Sequence, residues 1–349
     1  ALGYGAGNAV TSGINNTLVG GLVGDALTDA DDNTAMGRGA LSTDTLGSKS
    51  TAIGRNALTT QNFTTATDSH NVAVGYQAGL EVTTATENVL IGGLAGDALN
   101  TGGQNVAVGH AALSSEDGHG QNVAIGYLAL NAQNAGATAY NTAVGASAGA
   151  VVSTGIHNTF VGGLSGDATT DADYNTALGS RALTTNVLGS ANTAVGFDAL
   201  FTVNPATAVT MYNTAVGYQA GGAVTTGVQN TFIGGLAGDA ITTGDENIVI
   251  GYDSDISAVD GTNQIVMGRG VTGAGNTTFC FGEAANDSAI AFGATTITAP
   301  SDIRLKEDIQ DEEVGLDFIK DLRPVTFQWK KEKDVPSEMK AHVADSEKR

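Results

Sequence analysis

The side chains that could do chemistry are few and mostly scattered. Five histidines (His70, His110, His119, His157 and His342) lack the spacing that gathers imidazoles around one metal ion. No glycine-rich loop is followed by Lys-Ser or Lys-Thr, the arrangement that cradles a nucleotide phosphate. One acid does recur, closing each run of the type Gly92-Gly93-Leu94-Ala95-Gly96-Asp97, as Asp25, Asp97, Asp167 and Asp239. A calcium-binding β-roll repeats its glycine-rich run about every nine residues. Here the interval from Asp25 to Asp97, and on to Asp167 and Asp239, is several times longer, so these acids read as turn hydrogen-bonders. Asp29, Asp31 and Asp32, with Asp171 and Asp173 further on, carry oxygen ligands for a divalent ion but read as solvated loop acids. Cys280 is the single cysteine, which excludes an intrachain disulfide. No metal or cofactor site is expected from these patterns.

The elements that position such residues follow from a repeat. The motif Asn-(Thr/Val)-x-(Val/Ile/Leu)-Gly starts at Asn16, Asn33, Asn71, Asn88, Asn105, Asn122, Asn141, Asn158, Asn175, Asn192, Asn213, Asn230 and Asn247, with Ser50 in one position and a looser copy at Asn263. Most steps equal the one from Asn16 to Asn33; longer ones run from Ser50 to Asn71, from Asn122 to Asn141 and from Asn192 to Asn213, and a helix has no such period. Adding 142 to Asn16, Asn33, Ser50, Asn71, Asn88 and Asn105 gives Asn158, Asn175, Asn192, Asn213, Asn230 and Asn247, which marks a tandem duplication. At about 3.3 Å per residue, a step of about 17 residues makes a circuit of roughly 56 Å, enough for two short strands and two turns. Stacked circuits rise about 4.8 Å each. The expected fold is therefore all-β, a parallel β-solenoid of the β-roll kind with about 17 residues per coil.

Within a coil the strand alternates. Val72 and Val74 share one face and Ala73 the other; both faces are apolar or small. One face fills the coil's own interior, and the Ala-rich one is expected to approach a neighbouring chain, which motivates an oligomer. Every fourth coil puts Leu18, Leu90, Phe160 or Phe232 at the Ala position, with room expected from pairs such as Gly92-Gly93; these read as packing layers between chains of a trimer. Asn at a fixed turn position is expected to stack into an amide ladder along the axis. The threonines Thr17, Thr34, Thr142, Thr159 and Thr176 suggest an ice-binding array, but Val replaces Thr in other coils, implying an inward position.

Composition supports a scaffold. The chain has 349 residues, 49 of them Gly and 5% aromatic, which suits thin stacked layers better than a wide core. Five basic and 23 acidic residues precede Pro300, and ten and 13 follow it, so the body carries −18 and the tail −3 of the total −21. Such an acidic, nearly lysine-free body argues against nucleic acid or an anionic membrane as partner. No apolar run reaches the length of a membrane span and no signal peptide is visible. Since Ala1-Leu2-Gly3-Tyr4-Gly5 already reads as part of a repeat, an upstream segment is expected. Three regions emerge: a repeat shaft over 1–270, terminal coils and a linker over 271–300, and a charge-rich segment over 301–349. In the last, Val314, Phe318 and Leu322 are spaced as on a short helix, and Val325, Phe327 and Trp329 alternate as in a strand, a small α+β segment.

Repeats such as Asn213-Thr214-Ala215-Val216-Gly217-Tyr218-Gln219-Ala220 resemble the heads of trimeric autotransporter adhesins, which implies left-handed parallel β-rolls in a homotrimer, and they look like repeats of phage fibre proteins. After Pro300, Ser301-Asp302-Ile303-Arg304-Leu305-Lys306-Glu307-Asp308-Ile309, then Gly315-Leu316-Asp317 and Leu322-Arg323-Pro324-Val325-Thr326-Phe327-Gln328-Trp329, resemble the opening of the endosialidase-type intramolecular chaperone of phage tail fibres and tailspikes. That resemblance implies assistance to trimer assembly followed by self-cleavage, with Ser301 as nucleophile, Lys306 as base and Ser301-Asp302 as the bond cut. It further implies a virion fibre, assembled in the host cytoplasm, whose partners are its own copies, other fibre or baseplate proteins and a host receptor such as a polysaccharide. A bacterial adhesin head is the competing reading. A polysaccharide-degrading tailspike is the third, disfavoured because the acids follow the repeat instead of clustering out of period.

Overall fold

The computed structural model describes residues 1–284, 286–294, 330–337 and 342–348, and the chain divides into two units, Ala1–Pro300 and Ser301–Arg349. The first unit is a parallel β-solenoid. Its main sheet has 17 strands, most of three residues, beginning with Thr17–Val19 and each paired in parallel with the strand of the next coil; the exception is the last, Asn286–Ala291, which pairs antiparallel with Thr278–Glu283. Register is direct, as in Val89 on Val106, Leu90 on Ala107 and Ile91 on Val108. Because the strands are so short, almost every long-range contact joins one coil to its neighbours, the quasi-one-dimensional organisation of a repeat array.

Two features set the close coil-to-coil approach. The glycine after each strand is one. At Gly75 (φ 148°) a Cβ would lie 2.2 Å from the carbonyl oxygen of Gly92, and at Gly92 (φ 136°) 2.4 Å from that of Gly109. Only glycine permits both that backbone angle and that proximity. The second feature is a left-handed residue two positions later, for example Gln77 (φ 56°) or Leu94 (φ 59°). This takes the chain out of the extended region, so in most coils the second of the two expected short strands does not form, and the return limb is a series of turns. Two-residue strands appear beside the longest coils, where Gly47–Ser48 pairs with Thr67–Asp68 and Gly189–Ser190 with Val209–Thr210.

The middle residue of each strand points inward. Ala35, Ala52, Ala73, Ala107, Ala124, Ala143, Ala177, Ala194 and Ala215 are fully buried inside the single chain, while Val72 and Val74 face outward and are half-buried. The face expected to meet a neighbouring chain is thus the interior one. The reason lies six residues on, at a second inward position. Where the strand carries Ala35, Ala52, Ala107, Ala124, Ala177 or Ala194, that position holds buried Leu41, Leu58, Leu113, Leu130, Leu183 or Leu200. The narrow interior has room for one large side chain at this level, not two.

Leu18, Leu90, Phe160 and Phe232 obey the same rule in reverse, and their exposure of at most 2% within one chain removes them from any contact between chains. Nor is Gly92-Gly93 what accommodates Leu90. A Cβ at Gly79 or Gly96 would fall 2.8 Å from its two methyls, and Gly149 and Gly166 flank Phe160 at 2.9 and 2.4 Å. The four-coil super-period therefore encodes volume complementarity: two Ala/Leu layers, then an Ala/Gly layer and a large/Gly layer. The buried leucines at positive φ, such as Leu183 at 54°, accept a backbone cost of about 1 kcal/mol that burial outweighs.

In the second unit, Glu332–Asp334 form a short 3-10 turn, Lys331 and Lys333 both pair with Glu347, and the His342 Nδ1 lies 2.7 Å from the Val335 carbonyl oxygen. The expected helix through Val314, Phe318 and Leu322 and the strand through Val325, Phe327 and Trp329 lie outside the described residues.

Two expectations follow from the packing. Phe160→Ala should cost about 3–5 kcal/mol in chemical denaturation. The double substitution Phe160→Ala with Gly166→Leu, which recreates the Ala177/Leu183 pair one coil away, should recover more than half of that loss; no recovery would refute the complementarity. Near the end of the stack, burial first and the neighbouring Asp239 carboxylate second push the Asp255 carboxyl up to about 7. A folded value above the ordinary 3.8 means that this contribution is intact below pH 4 and is lost as pH rises through 7. Asp255→Asn keeps the acceptor for the Ala240 N–H, 3.2 Å away. It should therefore melt higher than the parent at pH 8 and show a smaller gap at pH 4.5.

Candidate functional site

The asparagines lie where adjacent coils meet. Asn33, Asn71, Asn88, Asn105, Asn122, Asn141, Asn158, Asn175, Asn192, Asn213, Asn230 and Asn247 are fully buried, with Asn16 half-buried at the start. The carboxamide oxygen of each accepts the backbone N–H of its successor, for instance Asn33 N–H to Asn16 Oδ1 at 3.0 Å and Asn175 N–H to Asn158 Oδ1 at 2.9 Å. Its Nδ2 commonly donates to the carbonyl 14 residues on, as Asn16 to Ala30 at 2.7 Å and Asn158 to Ala172 at 2.8 Å. One side chain thereby satisfies a donor in the next coil and an acceptor in its own, and both would otherwise be buried and unpaired. The first bond spans the 19-residue coil, Asn141 N–H to Asn122 Oδ1 at 3.1 Å, and the 21-residue coil, Asn213 N–H to Asn192 Oδ1 at 3.4 Å. Asn122 loses the second, and its Nδ2 is left without a partner.

Ser50 interrupts the ladder. There a buried polar cluster takes over, in which Gln61 Nε2 donates to Ser50 Oγ at 2.8 Å and Gln61 Oε1 accepts from Asn71 Nδ2 at 2.9 Å. At the far end the ladder position is Gln264, whose N–H donates to Asn247 Oδ1 at 3.0 Å, and not Asn263, which sits at φ 54° in the preceding left-handed column. The regular step is thus kept to the end, and the looser copy at Asn263 matches by residue type alone.

The outward surface of the strands is a candidate for binding. Its two columns run the length of the stack. One is Thr, Val or Ile throughout, from Thr17 to Ile265. The other is wholly aliphatic, from Val19 to Met267, with Met36, Ile91, Leu178, Val216, Ile233 and Met267 between 38% and 48% exposed. The Thr series Thr17, Thr34, Thr142, Thr159 and Thr176 belongs to this outer face, so the inward position inferred from Val/Thr exchange does not hold.

Aromatic columns border the strip. On one side, after the glycine, stand Tyr76, His110, Tyr127, Phe197, Tyr218 and Tyr252, with ring centroids 5.8 Å apart for His110 and Tyr127 and 5.7 Å for Phe197 and Tyr218. On the other, before the asparagine, Tyr140, His157 and Tyr174 stack on three successive coils at 5.3 Å with planes within 7°. Sequence reading passed over these columns because each aromatic follows its neighbour by a full coil. The signal available was the residue type immediately before each Asn and immediately after each Gly.

Ser301 and Lys306 lie outside the described residues. Among the described residues, no helix is long and apolar enough to cross a membrane.

Removing a ladder carboxamide should be costly and local. Asn158→Ala strands the Asn175 N–H and the Ala172 carbonyl, so a loss of about 2–4 kcal/mol is expected in urea unfolding. Asn134→Ala, at an exposed turn position of ordinary φ, should change stability by less than about 0.5 kcal/mol. Equal effects of the two would refute the ladder's role.

Residues 301–343 match the family model described as chaperone of endosialidase. No curated protein and no solved structure matches the chain.

Proposed function

We propose that this chain is the shaft-forming subunit of a homotrimeric bacteriophage fibre that takes part in host attachment, with a chaperone segment that begins at Ser301 and aids trimer assembly. The observation that carries the reading is the endosialidase-chaperone match at 301–343, following a long stack of parallel coils. The same match weighs against a bacterial surface adhesin head, the reading the repeat alone would favour. By family resemblance, Ser301 and Lys306 serve self-cleavage at Ser301-Asp302. Other fibre or baseplate proteins and a host receptor, polysaccharide among the candidates, complete the expected partners in an extracellular virion.

The occupant proposed for the outward strip is a further copy of this chain. A binding partner must present apolar groups at the same rise of about 4.8 Å over some 15 coils, which another copy does by construction. The strip measures roughly 70 Å by 10 Å, or about 700 Å², close to the ~800 Å² per partner of a stable interface. Exposed apolar patches of that size mark association surfaces, and the bordering Tyr and Phe residues are types enriched at interfaces.

The test is mass under native and denaturing conditions. Sedimentation equilibrium of the Ser301→Ala chain, which stays uncut, should give three times its 34.9 kDa. Val108→Lys with Ile125→Lys and Val144→Lys, all outward on consecutive coils, should yield monomers that keep the parent's β-sheet circular dichroism. Denaturing mass spectrometry should show a break after Ser301 that Ser301→Ala abolishes. A parent protein that sediments as a folded single chain would end the trimeric reading.

A further inference from the structure

The tandem duplication has a departure that packing does not explain. The coil that begins at Asn105 carries Glu116, Asp117 and His119 where the equivalent coil of the second copy, which begins at Asn247, carries Ala258, Val259 and Gly261. Glu116 occupies the interior column held elsewhere by Val82, Leu99, Val152, Val203, Val224 and Ile241, and it is fully buried. Its Oε1 accepts the His119 backbone N–H at 3.1 Å, while its Oε2 has no hydrogen-bond partner. The His119 Nδ1 is likewise without a hydrogen bond, and lies 3.6 Å from Glu116 Oε1. Asp117 stands exposed beside them, and one ligand atom from each of the three lies within 4.8 Å of the others.

Asp44 shows how this fold treats an acid in the same interior column. Its Oδ1 accepts from the N–H groups of Gly47 at 3.0 Å and Phe63 at 3.2 Å, and its Oδ2 from Gln61 Nε2 at 2.6 Å. Every oxygen there has a donor. At Glu116 only Oε1 has a donor and Oε2 has none, although leaving a buried polar atom unpaired is costly and native chains avoid it.

We propose that Glu116, Asp117 and His119 bind one divalent transition-metal ion of the zinc class. Two carboxylates and one imidazole form a mixed O/N donor set suited to such an ion, and three protein ligands leave a coordination position for water. Tetrahedral zinc at bond lengths near 2.0–2.2 Å needs donors about 3.4 Å apart, so from separations within 4.8 Å closure requires a pair of donors to approach by up to about 1.4 Å. Access is open, because His119 borders a cleft of about 380 Å³ that Thr84, Thr101, Gln104 and Gln121 also line. The ion would clamp one coil of the first copy and has no counterpart in the second. The inference does not rest on the fibre reading.

The full chain, stripped with EDTA and dialysed, is titrated with ZnCl2 by calorimetry, and bound metal is counted by mass spectrometry. One zinc per chain is expected, with Glu116→Gln and His119→Ala each weakening binding by about tenfold or more. The triple variant Glu116→Leu, Asp117→Asn, His119→Gly adopts the residues that the preceding coil carries at the same places, Leu99, Asn100 and Gly102, so it should fold, melt at least as high as the metal-free parent and bind no zinc. Co2+ in place of zinc should give a visible ligand-field band that His119→Ala loses. Absence of saturable one-to-one binding by the folded parent would overturn the site. Undiminished binding by the triple variant would do so equally.

Discussion

The structure depends on backbone lying directly on backbone. Each coil closes a short circuit and rests on the next at strand spacing, so any atom that holds two circuits apart breaks the stack. Gly75 and Gly92 show the steric half of this constraint, where a single added methyl would meet the next carbonyl at 2.2 or 2.4 Å. The asparagine ladder is the polar half. A coil turned through left-handed residues cannot pair all its backbone groups with its neighbours' strands, and the carboxamide supplies the missing donor and acceptor from one fixed place.

A cross-section this thin limits what the interior can hold. One leucine or one phenylalanine fills a layer, and the facing position must then be Ala or Gly. That leaves the long β-branched residues of the strands no place but the outside. The resulting apolar strip is a direct consequence of the narrow core, and so is the proposed need for further copies. Stability in such an array sums over neighbouring layers, which is why a defect in one coil is expected to act on that coil and those it touches. The two buried acids of the first copy differ for the same reason. Asp44 has the N–H of its own turn and two further donors supplied by the long coil beside it, whereas Glu116 has the backbone of its own turn and one imidazole.

Much of this was legible before any coordinates. The even recurrence of Asn, and the return of the same long coil at the same place in the second copy, specify a stacked parallel solenoid, because only a closed circuit of fixed length brings like residues together at every turn. The ladder positions could be read the same way, apart from the last, where Gln264 and not Asn263 continues the series. Matching by residue type failed there and counting by period would have succeeded. The separate character of the chain after Pro300 was visible as a change of charge and composition.

What the sequence alone determined, then, was the period and the identity of the residues that keep it. What only the tertiary structure decided was direction: that Ala73 points in and Val74 out, that Leu90 and Phe160 are plugs of one chain's interior instead of seams between chains, and that Glu116 and His119 converge. The reason is that a strand with small or apolar residues on both faces carries no polarity to orient it. The choice falls to volume across the coil, between residues six apart whose opposition exists only once the turn has closed.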